Sequence, residues 1–162
     1  MPRTFTETRT VYQYDELTDK AKSKARDWYL NCSDGDSWWN PVYEDAKMVG
    51  VRLSGFDIDR KKIYGCFDDP AKLVAEEIVK NHGSSCATYN TAKCYLESLE
   101  AVQGKADEVE DEENLAQLFL DGILQDYLCM LAREYDYVNS QEYVEETIRA
   151  NEYEFNIDGS KA

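Results

Sequence analysis

The chain has 162 residues, with 18 Lys+Arg against 33 Asp+Glu for a formal net charge of -15, and a hydrophobic fraction of 43% that includes 12 Tyr, 5 Phe and 3 Trp. So many apolar and aromatic residues exclude a disordered polyanion, and the length suits a single acidic globular domain, residues 1–162, able to bury roughly 70% of its unfolded surface. The sign of the charge argues against direct binding to DNA or RNA, whose phosphates repel such a chain.

Residues Phe5 to Tyr14 alternate bulky and polar side chains and read as a strand with one wet face. Thr18 can cap a helix that carries Ala21, Ala25, Trp28 and Tyr29 at helical spacing to about Asn31. A loop through Asp34, Gly35 and Asp36 leads to Asn40 and Pro41, a cap and first-turn pair opening a helix with Val42, Tyr43, Ala46 and Val49 inward and Gly50 as its stop. The segment from Val51 to Phe67 alternates again and predicts a hairpin turning near Arg60 to Lys62.

Pro70 marks the start of a helix with Leu73, Val74, Ile78 and Val79 inward and His82 and Gly83 at its end. A further helix is expected from Cys86 to Gln103, before Gly104. Past the carboxylate run 107–113, Leu115, Leu118, Phe119, Ile123, Leu124, Tyr127, Leu128 and Leu131 form the most apolar stripe of the chain, with Asp121 and Asp126 outside it. Asn139 and Ser140 precede a shorter helix with Val144 and Ile148 inward, and Tyr153, Phe155 and Ile157 then alternate as a closing strand. The fold class expected is α+β, a small, mostly antiparallel sheet covered by about six helices, with the first and last strands paired.

Few patterns carry chemistry. The single histidine, His82, sits at an expected helix end, which the helix dipole favours, and Cys86 four residues later has no identifiable orienting group. The acidic stretches lack calcium-loop spacing, one histidine does not suffice for the common zinc and iron sites, and there is no P-loop, GxGxxG or GxSxG motif. No catalytic residue, metal or cofactor is therefore assigned, and the protein is read as a non-enzyme. The five cysteines, Cys32, Cys66, Cys86, Cys94 and Cys129, are odd in number with no CxxC pair, and read as free, small, buried apolar residues of a reducing compartment. No run of 18 or more apolar residues occurs, and the start MPRTFTETRT lacks the apolar core of a signal peptide. A cytoplasmic protein with no membrane partner is the expectation.

The charge is unevenly placed along the sequence. Through Asn81 there are 13 Lys+Arg against 15 Asp+Glu; from His82 onward there are 5 against 18, a net of 13 negative. A balanced body with a carboxylate-loaded remainder suits docking on a basic surface, and basic cellular surfaces commonly bind nucleic acid. Carboxylates three or four residues apart on a helix lie roughly 5 to 6 Å apart, a spacing that can meet a row of Lys and Arg as phosphates do. The candidate contact residues are Asp107, Glu108, Glu110, Asp111, Glu112 and Glu113 in the run, Glu142, Glu145 and Glu146 on the short helix, and Glu152 and Glu154 on the last strand. Two other readings stand beside this one: the carboxylates keep the protein in solution, or a protein partner is bound through an aromatic surface around Trp28, Tyr29, Trp38, Trp39 and Tyr43.

VYQYDELTDKAKSKARDWYLN followed by WWNPVYEDAKMVGVRLSGFDI resembles small acidic proteins of unknown function encoded by bacteriophages and prophages, over roughly Thr8 to Phe67. The resemblance brings no active site. It implies a context in which compact acidic proteins block host restriction or CRISPR effectors, some by imitating DNA. The expected function is thus a phage-type, anti-CRISPR or anti-restriction inhibitor acting in the bacterial cytoplasm on a basic nucleic-acid-binding protein or complex of the host. The alternative is an antitoxin, regulator or phage structural component binding through exposed aromatics.

Overall fold

A computed structural model of the chain describes residues 1–33, 37–105 and 108–162, with Glu108 described by its backbone only. These residues form six α-helices and two antiparallel sheets of two strands each, an α+β fold. The expected sheet is therefore in two pieces. Two compact units share the chain: Met1–Ser37 with Asp136–Ala162, and Trp38–Tyr135.

In the first unit, strand β1 (Tyr12–Gln13) pairs antiparallel with β4 (Glu154–Phe155), Tyr12 opposite Phe155 and Gln13 opposite Glu154, so the first and last strands meet as expected. Both are shorter than their alternation suggests. A 3-10 turn at Tyr14–Glu16 ends β1, closed by the Gln13 amide donating to Glu16 at 2.7 Å, and Phe5 lies exposed with no strand opposite it among the described residues. After β4 the chain turns through residues 156–160, which leaves Ile157 exposed rather than facing inward.

Helix α1 (Asp19–Cys32) is capped by Thr18, whose hydroxyl accepts from the Ala21 amide at 3.3 Å, and α6 (Gln141–Ala150) is capped the same way by Ser140. Their inner faces, Ala21 and Ala25 on one and Val144 and Ile148 on the other, enclose a core with Tyr14, Leu17 and Phe155. Trp28 packs edge-on against Tyr153 and Phe155, with ring centroids 5.3 and 5.8 Å away. Gly159 has φ +87°, and a Cβ there would collide with the Ala21 carbonyl. This glycine lets the C-terminal turn lie directly on α1.

The second unit begins with helix α2 (Asn40–Met48), where Pro41 occupies the first turn as expected. Trp39, not Asn40, is the cap. Its backbone is already in the helical region and its carbonyl accepts from Val42 and Tyr43, so the helix starts one residue early. Gly50, at φ +87°, turns the chain into the hairpin of β2 (Val51–Asp57) and β3 (Lys62–Phe67), with Lys61 at φ +55° in the connection.

Helices α3 (Ala71–Asn81), α4 (Ala87–Val102) and α5 (Glu108–Val138) follow. Val74, Ala75 and Ile78 of α3, Ala92, Tyr95 and Leu99 of α4, and Phe119, Ile123, Tyr127 and Leu131 of α5 form the core with the inner residues of α2 and β2. Tyr95 stacks on Phe119 at 4.4 Å between centroids. By length and composition Val109–Val138 could cross a membrane; about a third of its apolar window is buried, and Phe119, Ile123, Leu124, Tyr127 and Leu131 lie in this core. Leu73 and Leu118, expected inside, are exposed, because each lies beside rather than on the buried positions of its helix, Val74 and Ile78 in one and Phe119 and Ile123 in the other.

All five cysteines are exposed, which corrects their reading as buried apolar residues. Cys94 and Cys129 each fall two residues past a core position, Ala92 and Tyr127, and a step of two on a helix points away from the buried side. Cys66 is on the open face of β3, while Cys32 and Cys86 sit at helix ends.

Candidate functional site

The fold redistributes the charge. The first unit joins both chain ends and holds 8 Lys+Arg against 14 Asp+Glu; the second holds 10 against 19. Net charges of 6 and 9 negative replace the near-neutral and polyanionic halves of the sequence.

Two basic residues from before Asn81 neutralise carboxylates of the acidic C-terminal segment, Lys24 pairing with Asp158 at 2.7 Å and Arg26 with Glu145 at 3.2 Å, while Arg149 of that segment pairs in turn with Asp15 at 2.9 Å. Glu145, expected to point outward, instead turns into the unit, with its side chain 20% exposed. It accepts from the Tyr14 hydroxyl at 2.9 Å and from Gln141 at 3.0 Å. Burial acts to raise the Glu145 carboxyl, but the hydrogen bonds from Tyr14 and Gln141 and the charges of Arg149 and Arg26 outweigh it and hold the group below the usual range. Glu145 is thus removed from the set of docking carboxylates.

Glu142 and Glu146 remain on the outer face of α6, one turn apart, exposed and without a counter-ion among the described residues. Glu154, the first residue of β4, is exposed too, as is Glu152, which lies not on that strand as expected but in the turn two residues before it. In the second unit Glu110 and Glu113 are exposed on the first turns of α5, whereas Asp111 and Glu112 are half-buried. Asp107 and the Glu108 side chain lie outside the described residues.

A different feature emerges in the second unit, where a cavity of about 530 Å³ is lined by Asp45, His82, Cys86, Thr88, Asp126 and Arg133, among others. His82 follows the last turn of α3, and its amide donates to the Ile78 carbonyl, as a residue ending the helix should. Its side chain is 9% exposed; Nδ1 lies 2.6 Å from Thr88 Oγ1, and Nε2 lies 3.3 Å from Asp45 Oδ2. That second contact has the distance but not the direction of a hydrogen bond, so Nε2 is a buried nitrogen without a hydrogen-bond partner among the described residues.

The same Asp45 oxygen accepts from Tyr127 at 3.1 Å, and Asp126 Oδ2 accepts from Thr91 at 2.6 Å. Burial, then the Asp45 charge and hydrogen bond, push the Tyr127 hydroxyl far above its ordinary pKa. Burial likewise raises the Asp126 carboxyl against the opposing hydrogen bond from Thr91. Asp126, expected on the outer face of α5, is thus half-buried.

No family model, curated protein or solved structure matches this chain.

The cavity brings His82, Cys86 and a carboxylate together, which their separation in the sequence left open. The two faces of the imidazole are directed at Thr88 and Asp45, so neither nitrogen stands against Cys86 as a general base. Among the described residues no group of three or more His, Cys, Asp and Glu is arranged to hold a metal ion. Trp38 and Trp39, read as a candidate partner surface, are half-buried, packed edge-on against each other and against Phe56.

Sequence reasoning missed Asp45, Thr88 and Tyr127 as one network. A signal existed. Asp45 lies three residues after buried Val42, and Asp126 three after buried Ile123, so both are carboxylates at core spacing.

Proposed function

We propose that this protein is a phage-type inhibitor that docks on a basic, nucleic-acid-binding surface of a host defence complex, with its exposed carboxylates in place of phosphates. The observation that carries this reading is the pair Glu142 and Glu146: one helical turn apart, exposed, and unpaired among the described residues, while neighbouring carboxylates of the same unit are neutralised internally. Such a pair meets two cations at roughly 5 to 6 Å spacing. Glu152, Glu154, Glu110 and Glu113 are the further candidate contacts. The phage context rests on the resemblance over Thr8 to Phe67.

The test is capture from a bacterial lysate at low and high ionic strength. A partner bound through carboxylates is released by salt and by duplex DNA, and its retention drops when Glu142 and Glu146 are both changed to Gln. Retention unchanged under all three conditions refutes docking through this pair.

A further inference from the structure

We propose that a cavity in the first unit is an aromatic cage for a quaternary ammonium group, such as that of choline, and that Lys161 is a tethered competitor which the ligand displaces. The cavity has a volume of about 460 Å³, within the range of small-molecule sites. Trp28 and Tyr29 line it from α1, Tyr143 from α6, and Tyr153 from the segment between α6 and β4. The inference uses neither Glu142 nor Glu146 and stands apart from the docking surface.

Two independent features mark the space as one for positive charge. The Lys161 ammonium stands over two of the rings, 6.0 Å from the centroid of Trp28 and 5.9 Å from that of Tyr153, so a cation is already drawn to their negative faces. Cys32, the last residue of α1, and Asn151, which caps the end of α6, also line the cavity, and the C-terminal end of a helix is the negative end of its dipole. Lys161 does not saturate this environment. Both distances lie at the outer limit of about 6 Å for such contacts, the side chain is exposed, and its ammonium donates to the Ala162 carbonyl at 3.0 Å rather than to an acceptor of the cavity. A side chain held so loosely moves aside at little cost.

The lining also selects the kind of cation. Among the described residues no carboxylate lines the cavity, although the chain has 33 Asp+Glu. A protonated amine entering it gives up hydrogen bonds to water and meets no charged acceptor, whereas a quaternary ammonium has no donors to leave unpaired and packs its charged methyl surface directly on the rings.

The experiment is a titration of the 15N-labelled full chain and of its Lys161→Ala variant with choline chloride, observing the indole N–H of Trp28. Sodium chloride at equal ionic strength and neohexyl alcohol, the uncharged carbon analogue of choline, are the controls. The expected result is a saturable, one-to-one shift of the Trp28 signal that neither control reproduces and that Lys161→Ala tightens by about fivefold, the scale of one exposed cation–π contact. Tyr153→Leu, made on the Lys161→Ala background, should weaken binding by about as much, and methylammonium should bind less tightly than choline. Lys161 is exposed, so its variant tests the proposal alone should Tyr153→Leu fail to fold. A shift in Lys161→Ala that never saturates, a shift that the uncharged analogue matches, or an affinity for choline no higher in Lys161→Ala than in the parent overturns the proposal.

Discussion

Tyr14 donates its hydroxyl to Glu145 at 2.9 Å across 131 residues of sequence, and Arg26 Nη1 reaches both groups, at 2.8 Å from the hydroxyl and 3.2 Å from the carboxylate. This triad joins the turn after β1, helix α1 and helix α6, so a carboxylate that reads as a docking group is a structural one. Changing Glu145 to Ala leaves a half-buried guanidinium and a buried phenol without their partner, and is expected to destabilise the first unit by about 2 kcal/mol. Tyr14→Phe should cost about 1 kcal/mol, since Arg26 and Glu145 keep each other. Native-state hydrogen exchange of α1 and α6 amides measures both, with the second unit unaffected.

The pH response of the first unit follows from its lowered carboxyls. Hydrogen bonds from Lys24 and Ser160 hold Asp158 well below the ordinary range, and Glu145 is lowered as well. A group whose folded pKa is depressed contributes stability that is present above its unfolded value, about 4, and lost as pH falls through the folded value. Stability should therefore hold steady from pH 7 to about 4.5 and then decline, and Glu145→Gln should flatten the decline. A midpoint series of urea unfolding against pH reads this directly.

Asp126 gives the opposite sign. Its folded carboxyl is raised by burial, so the fold favours the protonated form and is penalised once the pH passes the folded value. Asp126→Asn is expected to raise the melting temperature at pH 7 and to lose that advantage below about pH 4, where the parent carboxyl is protonated in both states. Equal gains at pH 7 and pH 3.5 would contradict the assignment.

Gly159→Ala tests the close approach of the C-terminal turn to α1. The left-handed backbone and the collision of the added carbon with the Ala21 carbonyl should together cost about 2 to 4 kcal/mol, more than an exposed glycine substitution elsewhere. Gly104→Ala is the control, with a positive φ but open space around it, and should cost about 1 kcal/mol. Thermal unfolding of the two variants separates backbone strain from steric collision.

The helices were legible because their signals are local. Thr18 and Ser140 cap where short-range hydrogen bonding requires it, Gly50 and Gly104 stop their helices in the left-handed region, and the stripe from Phe119 to Leu131 repeats at helical spacing. The strands were harder to place. Alternation over Phe5 to Tyr14 describes side chains that could pair, but a strand extends only as far as a partner does, and β4 offers two residues.

The candidate sites divide along the same line. That the chain folds, is α+β, and carries an excess of carboxylates beyond His82 was determined by composition and period, since burial of an apolar stripe and solvation of charge need no knowledge of distant residues. Which carboxylates stay outside was decided by tertiary structure alone: Arg26 claims Glu145, Arg149 claims Asp15, Lys24 claims Asp158, and Asp45 meets His82 and Tyr127 from separate helices. The physical reason is that a charge is neutralised by whatever lies a few ångströms away in space, and that neighbour is set by chain topology rather than by spacing along the sequence.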